Sequence, residues 1–281
     1  MTRQRYDQLR TGRTPWLGGL GIALVSATLL AGSAGAHTSY LKPNFFSLSR
    51  AEMVTLESAF TEAFSNPEVA VVSQDWHFYF PDGSRGEYDN IAGLKQVTVL
   101  EQELPQEGTY RFSTGERLGR KGRMYEMPDG QLKPVFNEKR EELPKPAGAS
   151  LVTTQTATVA DVYVTKGAPS SQVLQTAVGR LRIEPVTHPS EIYLDVGFSF
   201  RLTFDGADMT GQEMTLSRDG GAYADDKGER HFKTNSAGVT TLNFTKPGMY
   251  LLMTRHRAAA PAGAETDIRS YTTSLTFEVM P

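Results

Sequence analysis

The sequence predicts an all-β protein, with two Ig-like β-sandwich domains following a cleaved signal peptide. Three observations lead there. Apolar residues alternate with period two along much of the chain, as in Val54, Leu56 and Phe60 set against Thr55 and Glu57. Turn-forming runs such as Pro81-Asp82-Gly83, Asp219-Gly220-Gly221 and Lys246-Pro247-Gly248 separate the alternating segments at the short spacing of a sandwich. No segment carries an amphipathic helix longer than two turns, and Ser171 to Ala177 is the nearest candidate.

Residues 1–36 have the layout of a secretory signal: Arg3, Arg5, Arg10 and Arg13, an apolar run from Leu17 to Leu30, and a small-x-small site, Ala34-Gly35-Ala36. The run is broken by Gly18, Gly19 and Gly21 and falls short of the roughly 20 apolar residues of a membrane span, so a cleaved leader is expected rather than a transmembrane anchor. Export to the periplasm follows as an expectation. Cleavage after Ala36 makes His37 the first mature residue, whereas a cut at Ala31-Gly32-Ser33 or Gly32-Ser33-Ala34 leaves it internal.

The N-terminal sandwich is expected over residues 37–186. Its strands are Met53 to Phe60, Trp76 to Phe80, Gln96 to Glu103, Gly108 to Ser113, the β-branched run Leu151 to Thr165, and Arg180 to Val186. Between Gly115 and Ala149 the composition shifts to Gly, Pro, Lys, Arg and Glu, which reads as a long, solvated, partly mobile inserted loop over 115–149. Pro185 to Ser190 reads as the joint. The C-terminal sandwich, residues 191–281, takes its strands from Val196 to Phe204, Met214 to Ser217, Val239 to Phe244, Met249 to Thr254 and Ser270 to Val279.

Composition narrows the chemistry. Loss of four arginines and Asp7 with the leader leaves 25 basic and 31 acidic residues, an acidic balance that argues against nucleic acid as partner. Cys is 0, so disulfides and thiolate metal ligation are excluded, and any metal must be held by nitrogen, oxygen or thioether. There is no G-x-S-x-G elbow, no H-E-x-x-H and no phosphate-binding G-x-x-x-x-G-K-[ST], so the chain is read as a non-enzyme.

Two stretches resemble known families. Thr234-Asn235-Ser236-Ala237-Gly238 followed by Leu242 to Thr245 and Lys246-Pro247-Gly248-Met249-Tyr250 resembles the T-(D/N)-x-x-G and P-G-x-Y pair of Ig-like and carboxypeptidase-regulatory-like sandwiches. With His37-Thr38-Ser39-Tyr40-Leu41-Lys42-Pro43 and Gly179 to Pro185, the order resembles a periplasmic family of unknown function grouped with the NikM-type component of nickel and cobalt uptake. Relatives open A-H-x-x-W-L-x-P, and Tyr40 stands here where Trp is common. The resemblance implies a periplasmic, metal-associated protein, with an inner-membrane metal transporter or another envelope protein as partner.

Of the 5 histidines, His37, His77 and His256 are the candidate metal ligands. A terminal histidine offers its α-amine and one imidazole nitrogen, and one or two further donors close a tetragonal site suited to Cu(II) or Ni(II). The expected cofactor is thus a divalent transition metal ion: nickel, cobalt or copper. A free α-amine titrates at about 7.7–8.0, so metal must displace its proton and affinity should fall on acidification. His77 shares a strand face with Asp75, and the set resembles, locally, small periplasmic copper-resistance proteins. Each ligand has a plainer reading: a fraying terminus for His37, an outward strand residue for His77, and repulsion by Arg255 and Arg257 for His256. Those arginines equally suit an anion. His231 sits in an acidic hairpin, His188 reads as a linker residue, and Met124 and Met127 are weak thioether candidates. A terminal histidine on copper also resembles oxidative polysaccharide-cleaving enzymes, although no flat aromatic platform can be located. The alternative function is a non-catalytic Ig-like interaction module of the envelope, recognising partners by edge strands and the 115–149 loop.

Overall fold

Alternation of β-branched and aromatic residues with polar ones drives nearly the whole chain into strands. The computed structural model describes residues 37–49, 52–221 and 228–281. The predicted signal peptide lies outside them, as do Asp225 and Asp226 beside His231. In chain order the strands are β1 (Thr38–Pro43), β2 (Ser47–Leu48), β3 (Met53–Thr61), β4 (Val69–Ala70), β5 (His77–Tyr79), β6 (Arg85–Gly86) and β7 (Asn90–Gly93). Then come β8 (Thr98–Glu103), β9 (Gly108–Ser113), β10 (Arg117–Glu126), β11 (Leu132–Pro134), β12 (Ser150–Lys166), β13 (Leu181–Pro185) and β14 (Phe198–Phe204). The last are β15 (Ala207–Asp208), β16 (Glu213–Arg218), β17 (Glu229–Lys233), β18 (Val239–Leu242), β19 (Gly248–Ala259) and β20 (Ile268–Val279). Where the helical candidate stood, a single 3₁₀ turn covers Gln172–Gln175. The fold is all-β.

Three sheets build it. The central one has 11 strands and runs β17-β16-β19-β20-β12-β9-β5-β6, with β2 and the β10–β11 hairpin joined to β12. A five-stranded sheet, β1-β3-β8-β7 with β4 on β3, covers one face. A four-stranded sheet of β13, β14, β15 and β18 covers the other. The parity of β12 makes this division: Ala160, Val162 and Val164 pack with Leu41, Leu56, Phe78 and Phe112, while Ala157 and Tyr163 pack with Phe198, Phe200, Tyr271 and Phe277. Two sandwich cores therefore lie on opposite faces of one shared sheet. The described residues from 37 to 281 form one compact unit, because β12 of the first half pairs in parallel with β20 of the second from Thr154↔Ile268 to Val162↔Thr276.

The structure corrects the open loop expected at 115–149. Arg117–Glu126 is a strand paired with β12 from Arg117↔Thr158 to Glu126↔Ser150, and Tyr125, Val135 and Ala149 close a small core of their own. Among the described residues no second layer covers most of β10, so its side chains are largely exposed on both faces and leave no apolar alternation to read.

Candidate metal centre

The site forms where β1, β3 and β4 reach one end of the small sheet. β1 pairs antiparallel with β3, beginning at Thr38↔Thr61, and β3 pairs with β4 at Phe60↔Val69. His37, Glu62 and Glu68 each lie one residue beyond these pairs, so their side chains meet at a common edge.

The connecting turn is built to hold them. Thr61 Oγ1 donates toward the Asn66 carbonyl at 2.6 Å and accepts from the Ala63 N–H at 3.1 Å. The Ala63 carbonyl takes the Asn66 N–H at 3.0 Å, and Ser65 adopts a left-handed φ of 67°. Phe64 is buried against Tyr40, with ring centroids 5.7 Å apart in an edge arrangement. This apolar anchor ties the turn to the core.

The donors converge on the imidazole. His37 Nδ1 stands 3.1 Å from Glu68 Oε2, and His37 Nε2 stands 3.8 Å from Glu62 Oε1. Glu68 is oriented through its other oxygen, Oε1, which accepts the Glu62 backbone N–H at 2.9 Å. One ligand atom from each residue lies within 4.8 Å of the others. Donors sharing an ion at about 2.1 Å stand about 3–4 Å apart, so one ion takes the set once the exposed Glu62 carboxylate swings from Nε2 to the ring nitrogen that Glu68 faces. One imidazole nitrogen and two carboxylate oxygens suit a borderline divalent ion. The side chains of His37 and Glu62 are 46% and 62% exposed, which leaves an entry path and room for further ligands.

His77 and His256, the other two candidate ligands, do not join this group among the described residues. His77 lies on β5 and is buried at 3% exposure; its Nδ1 meets the Asp75 carbonyl at 2.6 Å. The Asp75 carboxylate serves Arg85 at 2.6 Å and the Glu116 N–H at 3.2 Å. His256 pairs with Tyr271 on the opposite face of β19 from Arg255 and Arg257, edge-on to Phe204 with centroids 4.8 Å apart. Burial, then the charge of Arg85 for His77 and of Arg180 for His256, holds both imidazoles below the usual histidine range. Register keeps them apart: strand order carries these histidines to another sheet and its faces.

His188 is a tie rather than a bare linker, bonding Ser190 Oγ at 2.7 Å and the Ser170 carbonyl at 3.1 Å. His231 pairs with Glu229 at 2.8 Å on an exposed hairpin. Sequence reading missed Glu62 and Glu68. The available signal was their place: acids flanking a turn that leads off a strand able to pair with the segment after His37.

Among curated proteins none matches. The D0-D1 domain of Intimin is similar over 84% of this chain and 96% of its own, at 13% identity and a TM-score of 0.20. The N-terminal four Ig domains of Dscam1 isoform 4.4 align over 86% of this chain and 73% of theirs, at 10% identity and a TM-score of 0.18. A family model, described as a domain of unknown function (DUF4198), matches residues 34–258, and the chain belongs to that family.

Proposed function

We propose that the protein binds a divalent transition metal ion through His37, Glu62 and Glu68. The convergence of one imidazole and two carboxylates on the β1–β3–β4 edge carries this reading. Processing after Ala36 adds the α-amine of His37, which closes a chelate with Nδ1 beside Glu68, and Glu62 swinging round from the Nε2 side makes an N₂O₂ donor set. Such a set favours Cu(II) or Ni(II) over harder ions. In the finer reading the protein is exported to the periplasm, is not an enzyme, and serves nickel, cobalt or copper handling by delivering the ion to a membrane transporter.

Titration calorimetry on protein beginning at His37 tests it. Ni(II), Co(II) or Cu(II) is expected to bind at or below about micromolar, and both His37→Ala and Glu68→Gln are expected to weaken binding by at least about tenfold. Affinity should fall between pH 8 and 6 as protons compete for the nitrogen donors. Unchanged affinity in both variants sinks the reading. Protein retaining Gly35-Ala36 separates the roles, since it keeps the imidazole and carboxylates but loses the free amine on His37.

A second reading, an envelope interaction module, rests on β7. This strand is the outer member of its sheet, is exposed along its length and carries Ile91, so its free edge suits strand addition by a partner.

A further inference from the structure

We propose that a groove between β10 and β19, walled by Arg120, Arg255 and Arg257, binds a small soluble organic oxyanion, a carboxylate or phosphate monoester bearing a short apolar group. The groove encloses about 220 Å³ on the face of the central sheet that also carries β1. Strand register builds it. Arg255↔Thr272 and Arg257↔Ser270 place both guanidinium groups on one face, and Ser270↔Thr156 and Thr154↔Gly122 continue that face across β20, β12 and β10.

The third arginine arrives through an irregularity. The β10–β12 register shifts between Leu118 and Lys121, which leaves Gly119 and Arg120 opposite Thr156. A side chain at Gly119 would come within 2.1 Å of Thr156 Oγ1, so the bulge needs glycine there and delivers Arg120 to the groove wall. Gly122, also lacking a side chain, keeps the floor open.

Among the described residues, none of the ion pairs involves these three arginines. Arg111, Arg180 and Arg269 each hold a carboxylate: Asp161, Asp205 and Glu116. Arg255 is half-buried, and its guanidinium donates to Thr272 Oγ1 at 3.1 Å. Burial and the like charge of Arg257 both push its pKa down. A partly desolvated guanidinium beside a second cation is costly without a counter-charge, and planar N–H forks match carboxylate and phosphate oxygens. Met124, Leu132 and Ile268 also line the groove and set the preference for an apolar substituent.

Calorimetry at low salt with inorganic phosphate, phenyl phosphate and hexanoate tests this. Phenyl phosphate and hexanoate are expected to saturate at about millimolar or tighter, with phenyl phosphate at least about threefold tighter than inorganic phosphate. Arg255→Gln and the exposed Arg257→Gln should each weaken phenyl phosphate by at least about fivefold, with the melting temperature of Arg257→Gln unchanged. The proposal is overturned by no saturable binding, by unchanged affinity in Arg257→Gln, or by equal affinity for phosphate and phenyl phosphate. Vesicles bearing phosphatidic acid should not retain the protein, and retention dependent on Arg257 would assign the groove to a lipid surface instead.

Discussion

His77 shows how one residue's environment departs from its sequence context. Alternation between Trp76 and Phe78 suggested an outward-facing imidazole, yet both faces of the central sheet are covered there. On its side lie Arg111, bonded to Asp161 Oδ2 at 2.5 Å, and the Thr176 carbonyl that Arg111 also serves. His77 Nε2 is buried without a hydrogen-bond partner among the described residues, which fits a neutral ring that donates from Nδ1 to the Asp75 carbonyl. The folded pKa is lowered, so below about pH 6.5 the unfolded chain binds a proton that the native ring resists. Stability is therefore full above about pH 6.5 and declines as pH falls toward the folded value, by up to about 1.4 kcal/mol per unit from this residue. Urea unfolding between pH 7.5 and 5.0 measures the slope, and His77→Gln should flatten it. Equal slopes in the two proteins would mean that His77 charges freely in the fold.

Elements differ in how plainly the sequence announces them. β3 and β8 bury one face and expose the other, and their period-two pattern reads directly. β1 is buried nearly throughout and β10 is largely exposed, so neither alternates and neither was legible. The turn between β3 and β4 was silent for another reason: its role depends on Phe64 finding Tyr40, a contact that propensity does not encode. Phe64→Ala should destabilise the protein by about 3 kcal/mol through the lost aromatic packing. It should also weaken metal binding severalfold without touching a ligand, because Glu62 and Glu68 flank the turn that it anchors. Calorimetry beside thermal melts would check both effects, and unaltered affinity in a folded Phe64→Ala protein would show that the carboxylates are positioned independently.

At the scale of the molecule, the shared sheet decides how the two cores behave. Nine parallel pairs join β12 to β20, and Tyr271 and Leu275 of β20 share a core with Ala157 and Tyr163 of β12. A fragment of residues 187–281 loses both the ladder and that part of its core. It is expected to be unfolded by circular dichroism and amide dispersion, while residues 37–281 unfold in one transition. A folded fragment, or two separated calorimetric transitions, would identify two independent domains.

The sequence alone determined the all-β class, through local alternation and turn chemistry, and confined metal chemistry to nitrogen, oxygen and thioether donors through the absence of cysteine. It also singled out His37 and the pair Arg255 and Arg257. Which groups those residues meet was decided by tertiary structure: carboxylates of Glu62 and Glu68 for His37, and Arg120 from a bulged strand for the arginines. The reason is range, since alternation and turns are written within a few neighbouring residues, whereas convergence depends on the register of strands far apart in the chain.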